Sequence, residues 1–240
     1  MVYGWRAMVG FIGPGAVAEN TTYQFYQIVP KGVLHVVYPL GITELTLEEV
    51  EQALKRTDVA IRELARRHVD IIVLGGSPTV AVGGFGYDQK FIQRVAQLTS
   101  IPGTTSQTGA LEAFRHLGIK RLAVATPFTD ELNGLLKDFL EKNGFQVLAI
   151  RGLNIPLVQV AQQPIYVTYR LAKETFALAP QADGVYIPGA SVPVVENIQL
   201  LEQDLKVPVV TSVQAMIWHV FRILRIGGPI SGFGRLLQEL

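Results

Sequence analysis

The feature that most constrains this chain is a repeat, in which four consecutive segments of the first half recur in the second half. The first-half segments are "GFIGPG", "LHVVYPLGI", "VDIIVLGGS" and "IPGTTSQTGALEAFRHLG", and their counterparts are "LAVATPF", "FQVLAIRGLNI", "ADGVYIPGA" and "VPVVTSVQAMIWHVFRILRIGG". Gly76 corresponds to Gly189, and the Thr-Ser pair of 105–106 recurs at 211–212. We infer two similar lobes related by a pseudo-two-fold axis. The alternative is two unrelated stretches of the same general class.

The repeated segments have the composition of buried parallel strands. Runs such as "MVGFIG", "DIIVLGG" and "GVYIPG" are apolar and bounded by Gly or Pro, which is typical of strands buried on both faces. Helical segments alternate with them, and one begins at Thr46 with Glu49 three residues later, a capping box. The alternation predicts an α/β fold in which each lobe has a parallel sheet of about four strands flanked by helices, with a cleft between the lobes. We expect the first lobe over 1–118, the second over 119–213, and a C-terminal helix over about 214–240 packing back on the first lobe.

Charge and residue usage exclude several classes of function. Lys and Arg number 21 against 20 Asp and Glu, and no basic stripe with interleaved aromatic residues occurs, so nucleic acid is not an expected partner. The absence of cysteine excludes disulfides, thiolate metal sites and cysteine nucleophiles. The four histidines lack metal-ligand spacing, and "GGFG" lacks the spacing of a dinucleotide fingerprint. We therefore expect neither a metal nor a cofactor.

Hydropathy also bounds the expected location. No apolar run approaches the roughly 18 residues that a membrane span needs. We expect a soluble, cytoplasmic protein whose partner is a small molecule, and we leave assembly into a homo-oligomer open.

The expected site lies where the two sheets face each other, because ligands of open parallel sheets bind beyond the carboxyl ends of strands. The stretches "VLGGSPT" and "YIPGAS" end equivalent strands and lead toward expected helix starts. Their exposed N–H groups and hydroxyls predict binding of carboxylates, the alternative being that the glycines and serines simply terminate strands. The expected lining is Pro14, Gly76, Ser77, Thr79, Pro127, Phe128, Gly189, Ala190 and Ser191.

Three further assignments concern groups near this site. Asn20 can donate hydrogen bonds to a ligand or can merely begin the next helix. Tyr38, expected at the end of the second strand, is an ionisable group near the cleft, the alternative for it being core packing with a satisfied hydroxyl. The catalytic group itself is not identified, and Tyr38, Ser77 and Ser191 are the candidates for it.

The strand-end stretches, the duplicated halves and "TTSQTGALEAFRHLGIKRLAVATPFTDELN" together resemble the aspartate/glutamate racemase superfamily. The resemblance is to its arylmalonate decarboxylase and maleate cis–trans isomerase branch, and it runs from "VGFIGPG" to "GFGRLLQEL". "ENTTYQ" is similar to the Asn-Thr-Thr segment of the isomerases. In that superfamily a cysteine at each of two strand ends exchanges a proton with the substrate carbon or attacks it, and the decarboxylases keep only the second. The resemblance places Gly76 at the first position and Gly189 at the second.

The resemblance also implies a pocket for an enediolate. The dioxyanion hole of the decarboxylases maps onto Ser77, Pro78, Phe128, Ala190 and Ser191, where Pro78 replaces a serine and Phe128 a tyrosine. Two-base racemisation is disfavoured because it needs an acid and a base on opposite faces of the carbon, and thiolate attack is excluded with the thiols. The expected function is that of a cysteine-independent enzyme of this branch, which acts on a small carboxylic acid through an enolate-like intermediate. The alternative is a non-catalytic protein that binds small carboxylates.

Overall fold

Eight strands form the cores of the two lobes in the computed structural model, which describes residues 2–17, 19–44 and 46–240. The strands are β1 Ala7–Gly15, β2 Val33–Ile42, β3 Ile71–Leu74, β4 Gly103–Thr105, β5 Arg121–Thr126, β6 Gln146–Gly152, β7 Gly184–Ile187 and β8 Val209–Thr211. They pair into two four-stranded sheets, of order β2-β1-β3-β4 and β6-β5-β7-β8. All pairings are parallel. Since β5 to β8 repeat the arrangement of β1 to β4, the predicted fold is confirmed.

Twelve α-helices flank the sheets in the described residues. They are α1 Asn20–Ile28, α2 Leu47–Leu54, α3 Thr57–Arg66, α4 Ser77–Val82, α5 Tyr87–Leu98, α6 Ser106–His116, α7 Asp130–Lys142, α8 Leu157–Val160, α9 Ile165–Ala177, α10 Ile198–Leu205, α11 Ser212–Leu224 and α12 Arg235–Gln238. A 3₁₀ turn, Val195–Asn197, precedes α10. None of these helices is both long enough and apolar enough to cross a membrane.

The last strand of each sheet runs directly into a helix, because a threonine caps that helix. Thr105 accepts a hydrogen bond from an N–H of α6, and Thr211 does the same for α11. These two helices pack against each other, and α11 also contacts α1. The close approach depends on Gly109 of α6, where a Cβ would lie 3.0 Å from the backbone oxygen of Ala215. The equivalent helices of the repeat therefore join the lobes behind the strand ends.

The helical segment expected from Thr46 differs from the prediction. It forms two helices, α2 and α3, with a break between Leu54 and Thr57. Thr46 does cap α2, since its hydroxyl accepts from the N–H of Glu49 at 3.2 Å. The Glu49 carboxylate, however, accepts from the N–H groups of Thr43 and Glu44 at 2.7 and 3.0 Å. Only half of the capping box forms, because the Glu49 carboxylate accepts hydrogen bonds from the preceding loop instead of from the N–H of Thr46.

The C-terminal helix is shorter than predicted over about 214–240. Helix α11 ends at Leu224, and Arg225 takes a left-handed conformation with φ of 55°. A Gly-Gly-Pro sequence follows at 227–229, and such a sequence cannot continue a helix. The tail turns back on α11 instead, where Gln214 Nε2 donates to the backbone oxygen of Phe233 at 2.6 Å.

Candidate functional site

A cavity of about 350 Å³ lies at the carboxyl ends of β1, β3, β5 and β7, between the two lobes. Strand ends of both halves contribute to its wall. They include Pro14, Gly76, Ser77, Pro78, Pro127, Phe128, Gly189, Ala190 and Ser191. Gly76 and Gly189, the two positions matched by the repeat, therefore line one space.

A larger but more open hollow occurs at the opposite ends of the strands, beside Arg121 and Asp183. These two side chains form an ion pair with an N–O distance of 2.7 Å. The pair neutralises two of the three charged side chains that line this hollow, the third being Lys120. The strand ends matched by the repeat lie at the other cavity, so the cavity at the carboxyl ends is the stronger candidate.

Three of the residues assigned from the sequence do not line the cavity. Asn20 begins α1, and its Nδ2 donates to the backbone oxygens of Ala161 and Ser191 at 2.8 and 3.0 Å. Thr79 is fully buried behind Gly76. Tyr38 lies inside β2, which continues to Ile42, so it does not end the strand as expected. In its place the end of β2 brings Ile42 and the following residue to the cavity.

Several residues at the two strand ends line the cavity with backbone N–H groups that the described part of the protein leaves without an acceptor. These N–H groups belong to Gly76, Ser77, Ala190 and Ser191. The N–H of Gly189, by contrast, donates to Ser212 Oγ at 3.2 Å. Since peptide N–H groups bind carboxylate oxygens, each lobe offers an anion-binding edge to the cavity.

The two strand ends are built differently, which corrects one expectation. After β3 the chain enters α4 at once, as predicted. After β7 no helix begins at the serine, and the first helical turn is the 3₁₀ turn Val195–Asn197. Helix α1 of the first lobe holds this second strand end in place. Gln24 of α1 donates to the backbone oxygens of Ala190 and Val192 at 2.9 and 3.0 Å, and its Oε1 accepts from the N–H of Val194 at 2.9 Å.

A chain of buried hydroxyl groups runs from Ser77 in the cavity wall into the protein interior. Ser77 Oγ is 3.3 Å from Tyr186 Oη and 3.3 Å from Ser212 Oγ. Tyr186 Oη donates to Gln107 Oε1 at 2.6 Å. Burial raises the pKa of Tyr186 to about 12, so the phenol keeps its proton at physiological pH. Sequence reasoning missed this chain, because β7 gave no sign that a strand tyrosine meets a helix of the other lobe.

The remaining wall is mostly apolar and carries one titratable side chain. Among the described residues that line the cavity, Glu19 is the only one with an ionisable group. Helix α8 contributes three apolar side chains to the cavity wall, those of Leu157, Val158 and Val160. The sequence did not predict either feature: in "AENTTYQ" the amide and hydroxyl residues after Glu19 were the candidates, and α8 is separated from the end of β6 by a loop.

No group of three or more His, Asp or Glu side chains suited to a metal ion occurs within residues 2–17, 19–44 and 46–240.

The fold and the cavity define a two-lobed α/β protein with a thiol-free cavity at the facing ends of two parallel sheets. The family model described as arylmalonate decarboxylase matches residues 9–237, and the chain therefore belongs to the arylmalonate decarboxylase family.

Curated relatives agree with this assignment. The arylmalonate decarboxylase of Bordetella bronchiseptica is 27% identical over 202 residues, which cover 83% of this chain and 84% of the relative. A maleate isomerase of Geobacillus stearothermophilus is 24% identical over 206 residues, covering 83% and 81%. The chain is thus similar to enzymes of both activities.

Solved structures show the same fold. A liganded double mutant of arylmalonate decarboxylase, in which a glycine is replaced by cysteine and a cysteine by serine, has a TM-score of 0.92 at 25% identity and covers 98% of this chain and 100% of that one. A maleate cis–trans isomerase of Nocardia farcinica bound to TRIS has a TM-score of 0.91 at 19% identity and covers 97% and 98%.

Proposed function

We propose that the protein is a cysteine-independent enzyme of the arylmalonate decarboxylase and maleate isomerase type, acting on a small carboxylic acid through an enolate-like intermediate. The observation that carries the proposal is the set of free N–H groups on two opposed edges of one cavity. An enediolate concentrates negative charge on its carboxylate oxygens. Fixed N–H donors beside those oxygens stabilise that charge more in the transition state than in the substrate.

The walls of the cavity indicate the substrate class. Its volume of about 350 Å³ admits a small organic acid. Phe11, Phe128 and Leu157 offer apolar surface to a substituent such as an aryl or alkenyl group, while the serine and amide edges suit carboxylates. A malonate with one apolar substituent satisfies both parts of the wall.

Glu19 is the residue that we assign to proton transfer. Glu19 brings a carboxyl group to the wall of the cavity, and this group is the acid of the proposed step. Glu19 is also exposed, so water can restore the proton after each turnover. It takes over the task that the family thiol would perform at Gly189.

The proposed reaction is the decarboxylation of a substituted malonate. The bond between the α carbon and one carboxylate breaks, carbon dioxide leaves, and the electron pair passes to the remaining carboxylate as an enediolate. The Ser77 hydroxyl and the free N–H groups stabilise that enediolate. Glu19 then gives its proton to the α carbon, and the product is the monoacid.

The alternative, a carboxylate-binding protein without activity, uses the same N–H groups. A panel of aryl- and alkenylmalonates, maleate and amino acids separates the two functions. Binding is read as thermal stabilisation, which is about 2.7 kcal/mol at a hundredfold excess over Kd, and turnover is read by NMR. An acid that stabilises the protein and is consumed supports the enzyme, whereas stabilisation by several acids with consumption of none supports the binding protein.

Glu19→Gln tests the assigned proton donor. We expect kcat to fall about 100-fold, the lower end of what general acid catalysis contributes, while the thermal shift by the substrate persists. Glu48→Gln is the matched control, since Glu48 is also exposed at the start of a helix but lies outside the cavity. Equal activity of the two variants would rule out Glu19 as the acid.

A further inference from the structure

We propose that Tyr186 is a positioning residue, which fixes the Ser77 hydroxyl as the hydrogen-bond donor to the substrate carboxylate. The inference rests on the proposed function, because it concerns the same cavity. Tyr186 itself is fully buried and does not line the cavity, so it acts through Ser77.

The direction of the hydrogen bonds follows from what each atom can do. The amide oxygen of Gln107 only accepts, so Tyr186 gives it the phenolic proton across 2.6 Å. The phenol oxygen can then only accept from its other neighbours. Ser77 Oγ, 3.3 Å away, is such a neighbour and can donate to it.

Ser212 completes the chain from the other side. Its Oγ accepts the N–H of Gly189 at 3.2 Å and lies 3.3 Å from Ser77 Oγ. The Ser212 proton is therefore free to go to the Ser77 oxygen. Ser77 is then held by one donor, Ser212, and by one acceptor, Tyr186.

This arrangement holds the Ser77 hydroxyl in one rotamer, with its proton on the side of the phenol oxygen. A carboxylate in the cavity is a stronger, charged acceptor, so the proton is shared with it, while the phenol oxygen keeps its contact with the hydroxyl and Ser212 still satisfies the Ser77 oxygen. Because Tyr186 stays protonated and bound to Gln107, it never competes with Ser77 as a donor to the ligand.

The chain also joins the two edges of the cavity. Ser77 and Gln107 belong to the half of the chain that holds β1 to β4, whereas Tyr186 and Gly189 follow β5. Hydrogen bonds in such a buried chain strengthen one another. The chain therefore sets the Ser77 edge and the Gly189 edge together, and a change at Tyr186 is expected to reach both.

A double-mutant cycle on ligand affinity tests this role. Phenylmalonate binding is measured by calorimetry for the wild type, Tyr186→Phe, Ser77→Ala and the double variant, at a temperature where all are folded. We expect Ser77→Ala to weaken binding about tenfold, as for a lost hydrogen bond to a charged group. We expect Tyr186→Phe to weaken binding by roughly half that factor, and to have no further effect once Ser77 is alanine.

Thr175→Val is the matched structural control. It too removes one fully buried hydroxyl from the second half of the chain, but Thr175 bonds the backbone oxygen of Leu171 and does not line the cavity. Its affinity for phenylmalonate is expected to equal that of the wild type. Should Tyr186→Phe not fold, Ser212→Ala takes its place in the cycle, with the same expected loss of effect in the Ser77→Ala background.

Three outcomes overturn the positioning role: effects that add independently in the double variant, an unchanged affinity in the single tyrosine variant, or no binding of phenylmalonate by the wild type. If the two affinity effects are coupled but no turnover occurs, the proposed enzyme activity is contradicted and the role of Tyr186 stands. If turnover occurs but the two affinity effects are independent, the role of Tyr186 is contradicted and the enzyme activity stands.

Discussion

Gly76 and Gly189 stand at equivalent strand ends, and both have left-handed backbone conformations, with φ of +86° and +102°. L-residues rarely adopt such angles, which explains glycine at both positions better than the need for a flexible loop. The surroundings differ. A Cβ at Gly76 would lie 2.6 Å from Thr79 Oγ1, whereas a Cβ at Gly189 would meet Pro127 Cγ at 3.0 Å. The second position therefore has more room for a side chain.

Alanine substitutions measure this difference. Gly76→Ala is expected to lower the free energy of unfolding by about 2–4 kcal/mol, from strain and collision together, and Gly189→Ala by about 1–2 kcal/mol, mainly from strain. Gly134→Ala is the control, because Gly134 is helical and a Cβ there meets nothing within 4 Å. That change is expected to stabilise by about 0.5–1 kcal/mol. Urea unfolding checks all three, and a Gly76→Ala variant as stable as the wild type would contradict the packing described.

Helix α1 matters to the cavity because one of its side chains holds the end of β7. Gln24 is buried and bonds four backbone groups of the loop after that strand. The carbonyl oxygens of Ala190 and Ser191 accept from Gln24 and Asn20, respectively, while the N–H groups of both residues have no acceptor in the described part of the chain. A single side chain of one lobe thus shapes the anion-binding edge of the other.

Gln24→Leu tests whether the hydrogen bonds of Gln24 hold the loop after β7 in place. We expect a loss of about 2–4 kcal/mol in the free energy of unfolding, because buried N–H and C=O groups lose their partners, together with faster hydrogen exchange at residues 192–195. Gln27→Ala, an exposed change in the same helix, is expected to stay within about 0.5 kcal/mol of the wild type. Unchanged exchange in the leucine variant would show that the loop holds its shape without these hydrogen bonds.

Local signals in the sequence predicted some helix ends and missed others. The threonines that cap α6 and α11 bond within their own first turns, so a few adjacent residues suffice to find them. The break between α2 and α3 was missed, because apolar spacing continues across it. The role of Gln24 was also invisible, since its partners are about 170 residues away in the chain.

The overall fold of the molecule was predictable from the repeat in its sequence. Matching segments predicted two sheets of the same strand order and brought Gly76 and Gly189 to one cavity. What the repeat could not predict are contacts that break its symmetry. Tyr186 of β7 corresponds to Val73 of β3, which carries no hydroxyl, and the acidic residues after β5, Asp130 and Glu131, do not line the cavity as Glu19 does. The contacts of Tyr186 and Glu19 depend on how the two lobes pack against each other. A repeat in the sequence does not specify that packing.

The most direct measurement follows deuterium into the product of phenylmalonate in D₂O by ¹H NMR, with the wild type and Ser77→Ala at equal concentration. An enediolate that takes its proton from a group in exchange with solvent yields phenylacetate with one deuterium at the α carbon. We expect this product from the wild type, and a rate about 100-fold lower from Ser77→Ala, as for loss of one donor to a developing oxyanion. Binding of phenylmalonate by a folded wild type without any deuterated phenylacetate, under conditions where the substrate is saturating, would contradict catalysis through an enolate-like intermediate in this cysteine-free cavity.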